Sequence, residues 1–279
     1  MEHPALSLKA EIESGKKIDP FLGIFDAFSA TIASKHSPNL FLSGFSMAAC
    51  YYGLPDIGYI AWSDMVNLAW RIRMILPEHR LLVDIDDGYM DTETACHVTQ
   101  QLEVMGCAMI MLEDQARPRR CGHFENKVLM PLEGYLEKLE RVLSTRKNML
   151  VLARTDASGN EIFRRIEAMS KTDADVLMVD GITALATLRD IRKVTKKPIL
   201  FNHISGGKSP KVPLSTLHEM GVNLSLYSTP ALFAAQRAIN ESLTTIMTKD
   251  GELPDEGIGV MQCTALLQAN MNRYARSSE

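Results

Sequence analysis

Long hydrophobic runs are missing from this chain. No apolar stretch approaches the roughly 18 residues a helix needs to span a bilayer, so a membrane partner is not expected. The segment up to Ile18 mixes charges and holds no apolar signal region, so the expected location is cytoplasmic. A surplus of positive charge is missing too: 30 Lys and Arg stand against 34 Asp and Glu, a net charge of -4. Nothing in that balance advertises a nucleic-acid partner. Cysteine is sparse, with 5 in 279 residues, at positions 50, 96, 107, 121 and 263. The number is odd and no CxxC pair occurs, which argues against a zinc ribbon or a redox pair and for thiols in a reducing compartment. There is also no internal repeat, no low-complexity tract and no long linker.

What is present is ordinary globular composition, 46% hydrophobic and 23% charged. The length suits two domains or a single α/β barrel of about 250 residues. Short β-rich runs recur at residues 23–28, 39–45, 80–85, 108–113, 149–155, 174–179, 198–202 and 223–228. Most are apolar throughout, as parallel strands covered on both faces are. Helical spacing fills the gaps at 64–75, 92–105, 132–143, 163–169, 185–194 and 230–247. Gly106, Gly221 and Asp250-Gly251 stand where helices should stop. This alternation predicts a (β/α)8 TIM barrel, and no GxGxxG follows the first run to favour a doubly wound sheet. The chain, 1–279, reads as one barrel domain. Its tail, 252–279, carries Leu253, Ile258, Val260, Met261, Leu266 and Leu267, a helical extension that packs on this chain or a neighbour.

Barrel sites lie at the C-terminal ends of the strands. Read in order, those ends carry Ser43-Gly44-Phe45, then Asp84, Asp86 and Asp87, then Glu113 and Asp114, then Arg154-Thr155-Asp156, Asp180, and Asn202-His203. Residues two apart on a strand share a face, so Asp84 and Asp86 can converge on one hard cation, Mg²⁺ or Mn²⁺. The same acids also suit a turn followed by a capped helix. In Arg119-Arg120-Cys121-Gly122-His123 the cationic neighbours are expected to lower the thiol's pKa, making Cys121 a nucleophile or an acid/base group, or else a surface thiol among solvated charges. The other four cysteines read as packing residues. Arg154, at the end of an apolar strand, needs Glu113, Asp180 or an anionic ligand as partner.

Asp84-Ile85-Asp86-Asp87-Gly88-Tyr89, Leu112-Glu113-Asp114-Gln115 and Arg120-Cys121-Gly122-His123 resemble motifs of the isocitrate lyase/phosphoenolpyruvate mutase superfamily. Phe25 to Ala30, Gly53-Leu54-Pro55-Asp56 and Ala153 to Ala157 fall in that superfamily's order. The resemblance runs from about residue 18 to about residue 243, and points to a methylisocitrate lyase-like or carboxyphosphonoenolpyruvate mutase-like branch. It implies a barrel whose eighth helix is often swapped between subunits, in a homodimer or homotetramer. It implies Mg²⁺ on Asp84, with Asp86 and Glu113 as direct or water-mediated ligands. It implies a small carboxylic acid held by Ser43, Gly44, Phe45 and Arg154, with Gly122, Asp180, Asn202 and His203 around it. It gives Cys121 the task of protonating the enolate left by carbon–carbon cleavage, with Arg154 and His123 beside it in catalysis. Departures bear on the substrate: Arg119 replaces a lysine, Asp180 a glutamate, His203-Ile204-Ser205 the usual x-Thr-Glu, and Phe233 an arginine that grips a further carboxylate. The activity expected is therefore a C–C lyase on a small 2-hydroxy or 2-oxo acid. C–P bond chemistry on an enolpyruvate, oxaloacetate decarboxylation and a non-catalytic binding role are the alternatives.

Overall fold

The computed structural model describes residues 2–124, 127–254 and 257–276, with side chains to Met271. Of the expected extension, residues 255, 256 and 277–279 lie outside the described residues. Eight parallel strands close into one barrel in sequence order. They are β1 Pro20–Ile24, β2 Asn39–Leu42, β3 Arg80–Asp84, β4 Met109–Glu113, β5 Leu150–Thr155, β6 Val176–Val179, β7 Ile199–His203 and β8 Leu224–Tyr227. The fold is a (β/α)8 barrel, as the alternation predicted.

The pleat sorts side chains into two cores. Phe21, Phe41, Leu82, Met109, Met111, Leu152, Met178, Leu200 and Leu226 fill the interior. Val83, Ile110, Val151, Leu177 and Phe201 face outward against Val98, Leu139, Ile166 and Leu188 of the surrounding helices. The helix Pro4–Ser14, unanticipated from sequence, adds Ala5 and Leu8 to the interior cluster and so plugs the barrel.

Two boundaries differ from the sequence reading for a local reason. The first strand was expected at 23–28 but ends at Ile24, because Asp26 and Ser29 form a capping box that starts the helix Ala27–Ala33. The second was expected to reach Phe45 but ends at Leu42, where the Ser43 hydroxyl accepts the Ser46 N–H (3.3 Å) and turns the chain into the helix Gly44–Met47. Gly106, Gly221 and Gly251 do end helices with positive φ, as expected.

The helix after β8, Pro230–Thr248, has no buried residue along its 19 positions. Ile239, Leu243 and Met247 recur one turn apart on it, exposed by 58%, 57% and 82%. The last helix, Val260–Arg276, packs on Ala27–Ala33 and Trp62–Ile75 of its own chain. There Asn270 Nδ2 donates to Thr31 Oγ1 at 2.7 Å. Among the described residues no helix is long and apolar enough to cross a membrane.

Candidate active site

Continuing the inward alternation past the apolar interior layers brings Ser43, Asp84, Glu113, Arg154, Asp180, Asn202 and Ser228 to one end of the barrel. All are buried. They form a belt. Ser228 Oγ donates to Asn202 Oδ1, and Asn202 Nδ2 donates to Asp180 Oδ1 at 3.0 Å. Arg154 lies 2.9 Å from Asp180, 3.1 Å from Asp156 and 3.2 Å from Glu113. Both partners proposed for Arg154 are therefore present, and Asp156 is a third. Arg119 pairs with Asp86, with Asp56 (2.8 Å) and with Glu113 (3.5 Å).

The carboxylates are short of positive charge despite these two guanidiniums. Burial pushes Asp86 up to about 8 against the pull of Arg119. Burial likewise raises Glu113 well above the usual range, although Arg154 and Arg119 lie beside it. Neither Glu113 oxygen makes an aligned hydrogen bond. Asp84 accepts backbone N–H groups of Asp86 (3.1 Å) and Gly44 (3.4 Å) and faces the cavity. Asp180 is the opposite case. Burial would raise it, but Arg154, His123 and Asn202 outweigh burial and hold its carboxyl well below the usual range.

Clustered carboxylate oxygens, those of Glu113 without an aligned hydrogen bond, fit a hard divalent cation. Among the described residues no three His, Cys, Asp or Glu side chains converge closely enough to hold a metal alone. The residues that would hold such an ion are Asp84, Asp86 and Glu113.

The loop after β4 covers this belt. Gln115 pins it: its Nε2 donates to Arg120 O (2.7 Å) and Asp156 Oδ2 (3.1 Å), while its Oε1 accepts from Arg120 N (2.9 Å). Gly122 lies so close that a Cβ would overlap the Asp180 carboxylate and stand 2.5 Å from Arg154 Nη2. Only glycine permits that approach. Lys127 Nζ donates to Gly122 O at 2.5 Å and to Asp156 at 3.1 Å.

Cys121, half-buried, lines a cavity together with Ser43, Phe45, Asp84, Arg119, Arg154, Asp180 and Asn202. The space left for a ligand in it is about 30 Å³. The expected fall in the thiol's pKa is reversed: burial pushes Cys121 up to about 11, with Asp180 and Asp56 adding to it. The physical reason is direction. Arg119 turns inward onto carboxylates and Arg120 is exposed, so neither sequence neighbour charges the thiol. A thiol raised in this way stays protonated at neutral pH.

His203 is not part of the belt. Asn202 points inward, so His203 points outward, stacked on Tyr227 (ring centroids 4.5 Å apart, 5° between planes). His123 stands behind Asp180, its Nε2 3.3 Å from Asp180 Oδ1. Gln115, Asp56, Asp156, Lys127 and Ser228 were given no role from sequence. For Asp156 and Ser228 the signal was there, since each continues the inward alternation of its strand. Cys96 and Cys107 are buried, as packing residues should be, whereas Cys50 is exposed.

The family model for phosphoenolpyruvate phosphomutase matches residues 8–247. The chain belongs to the phosphoenolpyruvate phosphomutase family. It is an enzyme of the isocitrate lyase/phosphoenolpyruvate mutase type. Its sequence is 30% identical over 261 residues to 2-methylisocitrate lyase of Salmonella typhimurium, covering 91% of this chain and 88% of that one. The crystal structure of 2,3-dimethylmalate lyase superposes with a TM-score of 0.92 at 26% identity, covering 99% of this chain and 96% of the other. Oxaloacetate acetylhydrolase bound to 3,3-difluorooxalacetate gives 0.91 at 25% identity, covering 99% and 97%.

Proposed function

We propose that this family member is a Mg²⁺-dependent lyase that cleaves, or in reverse forms, a C–C bond in a small 2-hydroxy or 2-oxo acid through an enolate. The observation that carries the reading is that Cys121 lines the same cavity as Asp84 and Arg154, with burial pushing its thiol up. Mg²⁺, or Mn²⁺, held on Asp84 would supply Lewis-acid charge at the substrate's 2-oxygen. The chain's own groups do the rest. Arg154 and the backbone around Ser43, Gly44 and Phe45 orient the acid. As the bond breaks, the 2-hydroxyl gives up its proton to a carboxylate of the belt and becomes the 2-oxo group, while the bond's electron pair moves into the departing fragment's carboxylate, which becomes an enolate. Cys121 then gives its proton to the enolate carbon, which the covering loop keeps from water. Once the products leave, the Cys121 thiolate regains a proton from solvent. The electron sink requires a second carboxylate on the carbon next to the 2-hydroxyl carbon.

A third carboxylate finds no cation. Arg119 and Arg154 are the basic side chains among those lining the cavity, and each already serves several protein carboxylates. Apolar side chains also line the cavity: Phe45 and Ile204 are among them, and Phe233 packs edge-on behind Phe45 (6.3 Å, 89°). We therefore place an uncharged substituent there. Phe233→Arg is expected to shift kcat/KM by roughly tenfold toward an acid with an additional carboxylate, relative to its methyl-bearing counterpart. Paired steady-state assays on the two acids check this, and an unchanged ratio removes Phe233 from the specificity wall.

The same reading includes a homodimer or homotetramer, supported by the exposed apolar stripe on Pro230–Thr248. Leu243→Glu is expected to lower the mass measured by light scattering to that of a single chain of 31.0 kDa. A wild-type protein already at that mass would sink the proposal.

A further inference from the structure

Cys121 has to be held still to aim a proton; Gln115 holds the loop at Arg120, just before it, and Lys127 at Gly122, just after it, and the Phe124 N–H closes a turn onto Cys121 O (2.9 Å). The neighbouring side chain, His123, is gripped from outside the loop. Its Nδ1 accepts the backbone N–H of Lys208 at 2.9 Å. A nitrogen that accepts carries no hydrogen, which leaves Nε2 as the ring N–H; it lies 3.3 Å from Asp180 Oδ1, though not aligned as a hydrogen bond. The imidazole thus spans two strand ends, with Lys208 following β7 and Asp180 following β6.

The contact is as close as backbone permits. A Cβ on Gly207 would stand 2.6 Å from His123 Nδ1 and 3.0 Å from Cε1, which real side chains do not tolerate. Gly207 is not in the left-handed region, so the demand for glycine is one of space alone. Its N–H closes a turn onto Ile204 O at 3.1 Å. Ile204 is the residue that lines the substrate cavity. One short turn therefore shows its first side chain to the substrate and its last amide to His123.

The geometry points to the turn 204–208, through Gly207 and the Lys208 amide, as the positioning element for Cys121. His123 acts as its coupling, a positioning residue rather than the proton carrier. The inference rests on Cys121 as the proton donor, but its test does not depend on turnover. The readout is the rate at which iodoacetamide labels Cys121 in the full-length protein, resolved from the other thiols by peptide mass spectrometry. A released thiol is more accessible and, freed from burial, more acidic.

Gly207→Ala and His123→Ala are each expected to raise Cys121 labelling about tenfold, the scale set by losing one buried hydrogen bond. His123→Gln, whose amide can accept from Lys208 N–H and donate toward Asp180, is expected to restore most of the protection. Where a substrate is in hand, kcat should fall in the two alanine variants with KM little changed, and recover in the glutamine variant. Ser205→Ala, exposed on the same turn, should label as wild type. Unchanged labelling in His123→Ala overturns the inference even if Gly207→Ala fails to fold. Equal labelling in His123→Gln and His123→Ala overturns it as well, because the bonding pattern would then be irrelevant. Protection that follows this pattern in a protein without lyase turnover would leave the positioning role standing and reject the lyase reading.

Discussion

Cys121→Ser is expected to lower kcat for C–C cleavage by about a thousandfold, in the middle of the range for a lost general acid, with KM little changed. The thiol lines the cavity, is held protonated by burial and is closed over the belt by Gln115 and Lys127. A serine hydroxyl fills nearly the same space but is a far weaker acid, so binding survives and proton delivery does not. The pH dependence has a definite sign. Because burial raises the thiol to about 11, its donor form persists through neutral pH. Activity owed to this proton should therefore fall only as the pH rises toward that value. A variant with full turnover would remove Cys121 from the proton transfer.

Arg154→Met is expected to abolish activity and to destabilise the fold by about 3–5 kcal/mol, the cost of leaving buried charges without their partner. Three carboxylates lose one guanidinium: Glu113 at 3.2 Å, Asp156 at 3.1 Å and Asp180 at 2.9 Å. Asp180 suffers most, because Arg154 is the main influence holding it ionised against burial. Lysine is a poor substitute, since a point charge cannot address three acceptors spread around a planar fork. Urea unfolding of Arg154→Met and Arg154→Lys beside wild type measures the loss. A change within about 0.5 kcal/mol, the size of an ordinary surface substitution, would show that the belt is not held by this residue.

The barrel was legible because its signals are local and repeated. Asp84, Glu113, Arg154, Asp180 and Asn202 all end apolar runs, and the pleat turns each inward. The same alternation turns His203 outward, since Asn202 cannot share its face with the next residue. Reading strand ends as a set, without their parity, missed this. The Cys121 pKa failed for a different reason. Neighbours in sequence are not neighbours in space, and Arg119 reaches across to Asp56 and Asp86 instead. The first strand was displaced because the Asp26–Ser29 capping box outweighs the β propensity of Phe25 and Phe28. The helix Pro4–Ser14 shows no sharp apolar face, and its contribution becomes visible only where Ala5 and Leu8 enter the barrel interior.

The central claim is carbon–carbon cleavage that depends on a divalent ion at Asp84. The direct measurement is proton and phosphorus NMR of the purified protein with Mg²⁺. The substrates are 2-hydroxy acids that bear a carboxylate and an apolar substituent on the neighbouring carbon, with phosphonopyruvate alongside. The account predicts that one such acid is converted to a 2-oxo acid and a carboxylic acid in equal amounts, that EDTA stops the conversion and that Mg²⁺ restores it. Turnover of phosphonopyruvate while every 2-hydroxy acid stays intact, or cleavage that survives EDTA, would contradict it.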